Sequence, residues 1–204
     1  MIEEVFLASR LAVLRGRSRL TEEVLTIEGL SDAKMRHLLN NIGSRVRSYV
    51  EIGCYHGSTL IAAAYGNPRL SAVGIDNFSE DFPAWNTRGG PREQLGDNLR
   101  KYAPHARFVE ADFRSLPVDP LPPIDCFFYD GAHDCESHGE AIIRFSPRFG
   151  EECLLLVDDW NSEAAREGTY AGLHEIHPRL QVVCSAALCD TWNNVGVFVL
   201  RRIG

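Results

Sequence analysis

Apolar residues along this chain follow two rhythms, and the change between them comes near residue 48. Before it, Met35, Leu38, Leu39 and Ile42 recur three or four positions apart, the spacing of one face of a helix. Ser31 is placed to cap that helix and Gly43 to end it. After it, short apolar runs at 48–52, 72–76, 107–110, 125–129 and 153–157 alternate with amphipathic stretches at 58–65, 92–102, 136–145 and 162–174. Strands alternating with helices of this length predict βαβ units and a parallel sheet. Several runs are apolar throughout, as expected of strands covered by helices on both faces. Two last strands, 181–188 and 195–201, flank Asn193-Asn194, a pair that favours a turn. They read as an antiparallel pair closing the sheet.

The expected fold is therefore α/β. Residues 1–47 form an N-terminal helical cap on a domain covering 48–204, the whole being one structural unit. The segment 77–91 is the least regular, with Phe78, Phe82 and Trp85 set among Pro, Gly and charges. Long loops in compact domains are often functional. This one reads either as a flap over a pocket or as an aromatic loop packed on the surface.

Charge narrows the function. The net charge is -7, with 28 acidic against 21 basic residues, which disfavours a nucleic-acid partner whose phosphates must be neutralised. The mildly basic stretch 10–19 reads as a solvated helix face. No apolar run reaches the roughly 20 residues of a membrane span, and the opening Met-Ile-Glu-Glu lacks the basic start of a secretory signal. The six cysteines form no Cys-x-x-Cys pair, so reduced thiols in a cytoplasmic protein are expected rather than a disulfide framework or a zinc site.

Candidate chemistry gathers at the strand ends. The first strand runs into Glu51-Ile52-Gly53-Cys54-Tyr55-His56-Gly57-Ser58, then directly into a helix. Gly53 permits a sharp turn, Gly57 a close backbone approach to a ligand, and the helix start offers N–H groups to a polar ligand. The glycine spacing is wrong for the dinucleotide fingerprint, and no Gly-Lys-Ser/Thr follows as a P-loop requires. Asp76, at the end of the second strand, is placed to accept from ribose hydroxyls. Asp112 and Phe113, after the third, offer a carboxylate to an exocyclic amine and a ring to a purine. Three such features at successive strand ends point to an adenosine-type ligand.

This series resembles the class I S-adenosylmethionine methyltransferases, with motif matches from about residue 48 to 161. The resemblance implies a Rossmann-like three-layer sandwich around a mostly parallel seven-stranded sheet with an antiparallel C-terminal strand. It assigns cofactor contacts to Glu51, Gly53, Gly57, Ser58, Asp76, Asn77, Asp112, Phe113 and Asp130. Tyr55 stands where many members carry a middle glycine.

A second constellation follows. The fourth strand ends Tyr129-Asp130-Gly131-Ala132-His133 and the fifth Val157-Asp158-Asp159-Trp160, which places Asp130, Asp158 and Asp159 at neighbouring strand ends. Three converging carboxylates repel unless a cation joins them, and a hard divalent ion such as magnesium suits oxygen ligands. The alternative is that Asp158 caps the next helix. The pattern is similar to the metal-dependent O-methyltransferases of the catechol, caffeoyl-CoA and macrocin types. In that likeness Asp130, Asp158 and Asp159 hold the ion against two substrate oxygens. His133 stands where catechol-type members carry a lysine base, and a histidine titrates near neutrality. It is the candidate catalytic base, or a group that supports a ligand; His56 and His138 are weaker candidates. The expected reaction is methyl transfer to a hydroxyl of a small-molecule acceptor, by a protein that binds neither nucleic acid nor membrane and forms a homodimer as resembling families commonly do. A metal-independent methyltransferase and a non-catalytic cofactor-binding module are the rival readings.

Overall fold

The computed structural model describes residues 1–79 and 90–203. Its elements run α1 (Ile2–Leu14), α2 (Glu22–Leu25), α3 (Ala33–Gly43), β1 (Ser48–Ile52), α4 (Ser58–Ala64), β2 (Ser71–Asp76), α5 (Gly90–Tyr102), β3 (Arg107–Glu110), β4 (Ile124–Tyr129), α6 (Cys135–Phe145), β5 (Phe149–Val157), α7 (Glu163–Ile176), β6 (Leu180–Leu188) and β7 (Val195–Arg202).

The seven strands form one sheet in the order β3-β2-β1-β4-β5-β7-β6. Pairings from β3 through β5 are parallel, and β7 runs antiparallel to both β5 and β6. The chain starts centrally, steps outward through β2 and β3, then returns to β4 beside β1. The strand order thus reverses between β1 and β4, the place where open α/β sheets bind ligands.

Alternation of side chains along each strand builds two cores. On one face Tyr49, Cys126, Phe128, Leu154 and Leu156 pack with Phe6, Leu38, Leu39, Leu60 and Leu95, from α1, α3, α4 and α5. On the other, Val50, Phe127, Tyr129, Leu155 and Val157 pack with Ile142 and Phe145 of α6 and Leu173 and Ile176 of α7. The result is the three-layer sandwich expected. Among the described residues no helix is long and apolar enough to cross a membrane.

Three local expectations are corrected. Asp32, not Ser31, caps α3, its side chain accepting the Met35 N–H at 2.8 Å. Gly43 ends that helix without a left-handed turn; its lack of a side chain is needed because a Cβ would sit 2.2 Å from the Ala63 carbonyl of α4. The fifth strand begins four residues earlier than its apolar run, because Glu152 there accepts both the Ile2 N–H at 2.7 Å and the Arg201 guanidinium at 3.0 Å. Charged residues engaged in this way hide a strand from a reading of hydrophobicity.

Candidate active site

The loop after β1 owes its path to two features. Gly53 has φ +85°, and a Cβ there would lie 1.8 Å from the Asp130 carbonyl oxygen, so only glycine lets the ends of β1 and β4 approach this closely. The backbone N–H groups of Cys54 and Tyr55 then donate to one Asp76 carboxylate oxygen, at 2.7 and 2.9 Å. The other Asp76 oxygen accepts from Phe78 N–H at 2.7 Å. Asp76 therefore ties the first and second strand ends into one rim, and both Tyr55 (φ 47°) and Phe78 (φ 50°) turn through the left-handed region there.

This rim bounds an open cleft whose walls include Gly53, Ser58, Asp76, Asn77, Asp112, Phe113, Asp130, His133, Asp158 and Asp159. Ten of the residues singled out from sequence are thus brought together. Phe113 is buried against the edge of Tyr129, ring centroids 6.2 Å apart, and presents an aromatic wall. Asp112 accepts the Arg114 N–H at 2.8 Å. Asn77 accepts the Ser79 N–H at 3.1 Å. Phe78 also lines the cleft, its ring 5.6 Å from that of Phe108. Phe82 and Trp85 lie outside the described residues.

Two singled-out residues lie elsewhere. Gly57 is not on the cleft wall: with φ +81° it turns the chain into α4, and its absent side chain faces Ile61 and Leu95. Glu51 is fully buried beneath the loop, accepting from Tyr49 Oη and, at 2.8 Å, from Thr59 Oγ1. Burial pushes its carboxyl up to about 7 against those two hydrogen bonds. Its place in the structure is a brace under the glycine turn.

The acidic cluster forms where β4 and β5 end side by side, Asp158 N–H donating to the Tyr129 carbonyl at 3.0 Å. One oxygen each from Asp130, Asp158 and Asp159 lie within 4.8 Å of one another. Burial first, and the neighbouring carboxylates next, hold the coupled Asp130 and Asp158 carboxyls well above the ordinary range. Such a group stores repulsion that a hard cation relieves, and carboxylate oxygens are the kind of ligand such ions take. Helix α7 is capped by Ser162, which leaves Asp158 without a capping role.

Asp159 adopts φ 53°. Its side chain is held from both sides, by Asn193 Nδ2 at 2.7 Å and His133 Nε2 at 2.8 Å. Asn193, which the sequence marked only as a turn former, is thus part of the site. It arrives there because the chain after α7 returns beside the loop after β5, with Trp160 and Asn161 N–H bonded to the carbonyls of Asn194 and Asn193. The remaining histidines sit elsewhere. His138 is buried against Tyr129 with Nδ1 on the Asp134 carbonyl at 2.8 Å, and His56 is buried and stacked on Tyr55.

Residues 50–160 match the family described as Methyltransferase domain, a span that holds the glycine turn, Asp76, Asp112 and all three clustered aspartates. No curated protein sequence matches the chain significantly. Among solved structures, the chain is similar to an O-methyltransferase from Bacillus cereus in complex with SAH, at 14% identity and TM-score 0.61 over 100% of both chains. It is also similar to the O-methyltransferase TomG from Streptomyces achromogenes in complex with SAM, at 17% identity and TM-score 0.59, covering 97% of this chain and 89% of that one. TrmN from Thermus thermophilus gives TM-score 0.62 at 12% identity over 89% of this chain, which spans 52% of that protein. At these identities the likeness is one of fold.

Proposed function

The chain belongs to the methyltransferase-domain family, and on that premise we propose that it is an S-adenosylmethionine-dependent O-methyltransferase acting on a small molecule beside a divalent cation, magnesium by preference. The observation that supports this reading is the meeting of Asp130, Asp158 and Asp159 within 4.8 Å on the same cleft wall as the glycine turn. An adenosine-type ligand alone would not call for three carboxylates there.

Asp76 and the Cys54–Tyr55 backbone shape the cofactor rim, with Phe113 as the flat apolar wall for a purine. Asp130, Asp158 and Asp159 would hold the ion. Bound in this cleft, the cofactor supplies an electrophilic methyl group and the ion lowers the pKa of an acceptor hydroxyl. The protein's own contribution is orientation and charge: it sets the nucleophile near attack distance and stabilises the developing alkoxide or phenoxide. His133, half exposed at the cleft, accepts the hydroxyl proton at an imidazole nitrogen.

Thermal unfolding with S-adenosylhomocysteine, with and without magnesium and with NADH as control, tests the reading. A ligand at about a hundredfold its dissociation constant adds roughly 2.7 kcal/mol, a readily visible shift. The expected result is a shift with the homocysteine compound that magnesium enlarges, and none with NADH. No shift with the homocysteine compound overturns the proposal; a shift that magnesium leaves unchanged removes the cation from it.

A further inference from the structure

Of the basic stretch at 10–19, Arg10 alone lies within α1, where it pairs with Asp190. Arg15, Arg17 and Arg19 follow that helix and, with Arg45 just beyond α3, line a surface groove between the two helices. No carboxylate lines this groove, and it shares no wall residue with the cleft described above. Arg19 donates to the Gly66 carbonyl at 2.9 Å and Arg45 to the Asn41 carbonyl at 2.7 Å, so both are steadied by neutral acceptors. Arg15 and Arg17 make no side-chain hydrogen bond or ion pair among the described residues. The carbonyl ends of α1 and α3 offer these cations only partial negative charge. In a chain of net charge -7, carboxylates abound to neutralise such a cluster, and none is placed here.

Beside the arginines lies exposed apolar surface. Leu7, Leu11 and Leu14 are 52%, 50% and 67% exposed. Their spacing of four and three residues sets them in one row along α1, while Ile2, Phe6 and Ser9 of the same helix face the core. A surface helix ordinarily turns polar residues outward; this one is apolar on its outer side as well. Leu11 belongs both to the row and to the groove wall, so leucines and arginines form one continuous surface.

Guanidinium forks bind phosphate oxygens in pairs, and leucines gain by leaving water. Phosphates next to an apolar layer are what the boundary of an anionic bilayer presents. A nucleic-acid backbone supplies the phosphates without the apolar layer, and the groove holds no aromatic ring on which bases could stack. We propose that α1 and the arginine groove form a docking surface for an anionic phospholipid bilayer. Lipid phosphates enter the groove, and the leucine row sits at the acyl boundary. A helix lying in the interface needs no spanning run, so the expectation drawn from the absence of one does not bear on this surface.

Flotation of the full chain with lipid vesicles tests it. Wild-type protein is expected to float with phosphatidylcholine vesicles containing about 30% phosphatidylglycerol, and not with pure phosphatidylcholine. Two double variants, Arg15→Gln with Arg17→Gln and Leu7→Ser with Leu14→Ser, change exposed side chains and should keep the wild-type thermal midpoint. Each should weaken partitioning onto the anionic vesicles roughly tenfold or more. Wild-type protein that stays off the anionic vesicles, or that floats equally well on pure phosphatidylcholine, overturns the proposal. A leucine variant that floats like wild type shows that phosphate charge alone is read. The lipid assignment then falls, and titration of wild-type protein with an RNA oligonucleotide or with inorganic phosphate identifies which source the groove takes.

Discussion

His133 Nε2 lies 2.8 Å from Asp159 Oδ2, while Asn193 Nδ2 lies 2.7 Å from Asp159 Oδ1. Both oxygens of one carboxylate are therefore held by neutral or cationic donors, and the residue carrying them has left-handed backbone at φ 53°. An aspartate in that region is strained by about 1–2 kcal/mol, and the two side-chain contacts fix its orientation despite the strain. His133 thus orients Asp159, and in the function proposed above it has a second task, taking the proton of an arriving acceptor.

The two tasks separate by pH. His133→Gln keeps a donor for Asp159 but cannot take up a proton near neutrality. We expect kcat to fall roughly 10²-fold, KM to change little, and the acid limb of the kcat/KM profile to flatten. Stopped assays across pH 5.5–9 check this. A variant that loses rate but keeps the wild-type limb would place His133 in the orienting role alone.

Asp158 is 8% exposed and stands at the centre of the cluster in its sequence. Asp158→Asn removes one charge while keeping the shape. Methyl transfer should fall at least about 10²-fold, in line with the loss of a group that holds and tunes a catalytic ion, while the dissociation constant for S-adenosylhomocysteine stays within a few-fold. A variant with full turnover that also ignores chelators would leave the cluster with no metal role.

The parts of the fold that read clearly from sequence are those governed by local rules. Gly53 announced a turn because no other residue takes φ +85° at this distance from a neighbouring strand, and Asp76 and Asp112 followed from strand ends in register. The apolar runs located all seven strands because helices on both faces leave little room for polar residues in them. What sequence could not supply was the meeting of distant segments. Asn193 reaches Asp159 across 34 positions, and Ser31 faces Ser58 across 27; both depend on tertiary packing that leaves no periodicity. Gly57 and Glu51 stand apart from the other motif residues, off the cleft wall. They belong to the same motif, but one turns the chain into α4 and the other braces it from beneath.

Removing divalent ions should expose the electrostatic strain of this site as a pH dependence. Glu51 is raised to about 7 in the fold, and Asp130 and Asp158 are raised by burial and mutual repulsion. For a raised carboxyl the folded state binds more protons than the unfolded chain. The stabilisation is full below the unfolded pKa near 4 and disappears as pH climbs through the folded value. For Glu51 alone this is on the order of 3 kcal/mol between pH 4.5 and 7. The midpoint of the chelated protein should therefore fall from pH 5 to pH 8. Magnesium should restore much more at pH 8, where the carboxylates are ionised, than at pH 5; equal gains at both would place the ion elsewhere.

Gly53→Ala tests the geometry under the loop. The added methyl would sit 1.8 Å from the Asp130 carbonyl oxygen, a backbone atom that cannot swing aside, and φ +85° is itself unfavourable for alanine. Together these should cost roughly 2–4 kcal/mol of stability. Urea unfolding of the purified variant measures it, and a loss below about 0.5 kcal/mol would show that the ends of β1 and β4 yield easily.

Asn193→Ala removes the donor on Asp159 Oδ1 and leaves the His133 contact in place. The stability change should be small, about 1 kcal/mol, because Asn193 belongs to a turn whose backbone bonds to Trp160 and Asn161 remain. Its effect on the ion should be larger. Groups that orient a ligating carboxylate typically contribute 10–100-fold to metal affinity, so the magnesium concentration for half-maximal activity should rise by about that factor, with kcat at saturating magnesium close to wild type. The turn supplies a control: Asn193→Gly keeps the positive φ of 59° and removes only the side chain, so it should reproduce the magnesium shift. If Asn193→Ala shifts the magnesium requirement and Asn193→Gly does not, the turn conformation, and not the amide contact, sets Asp159.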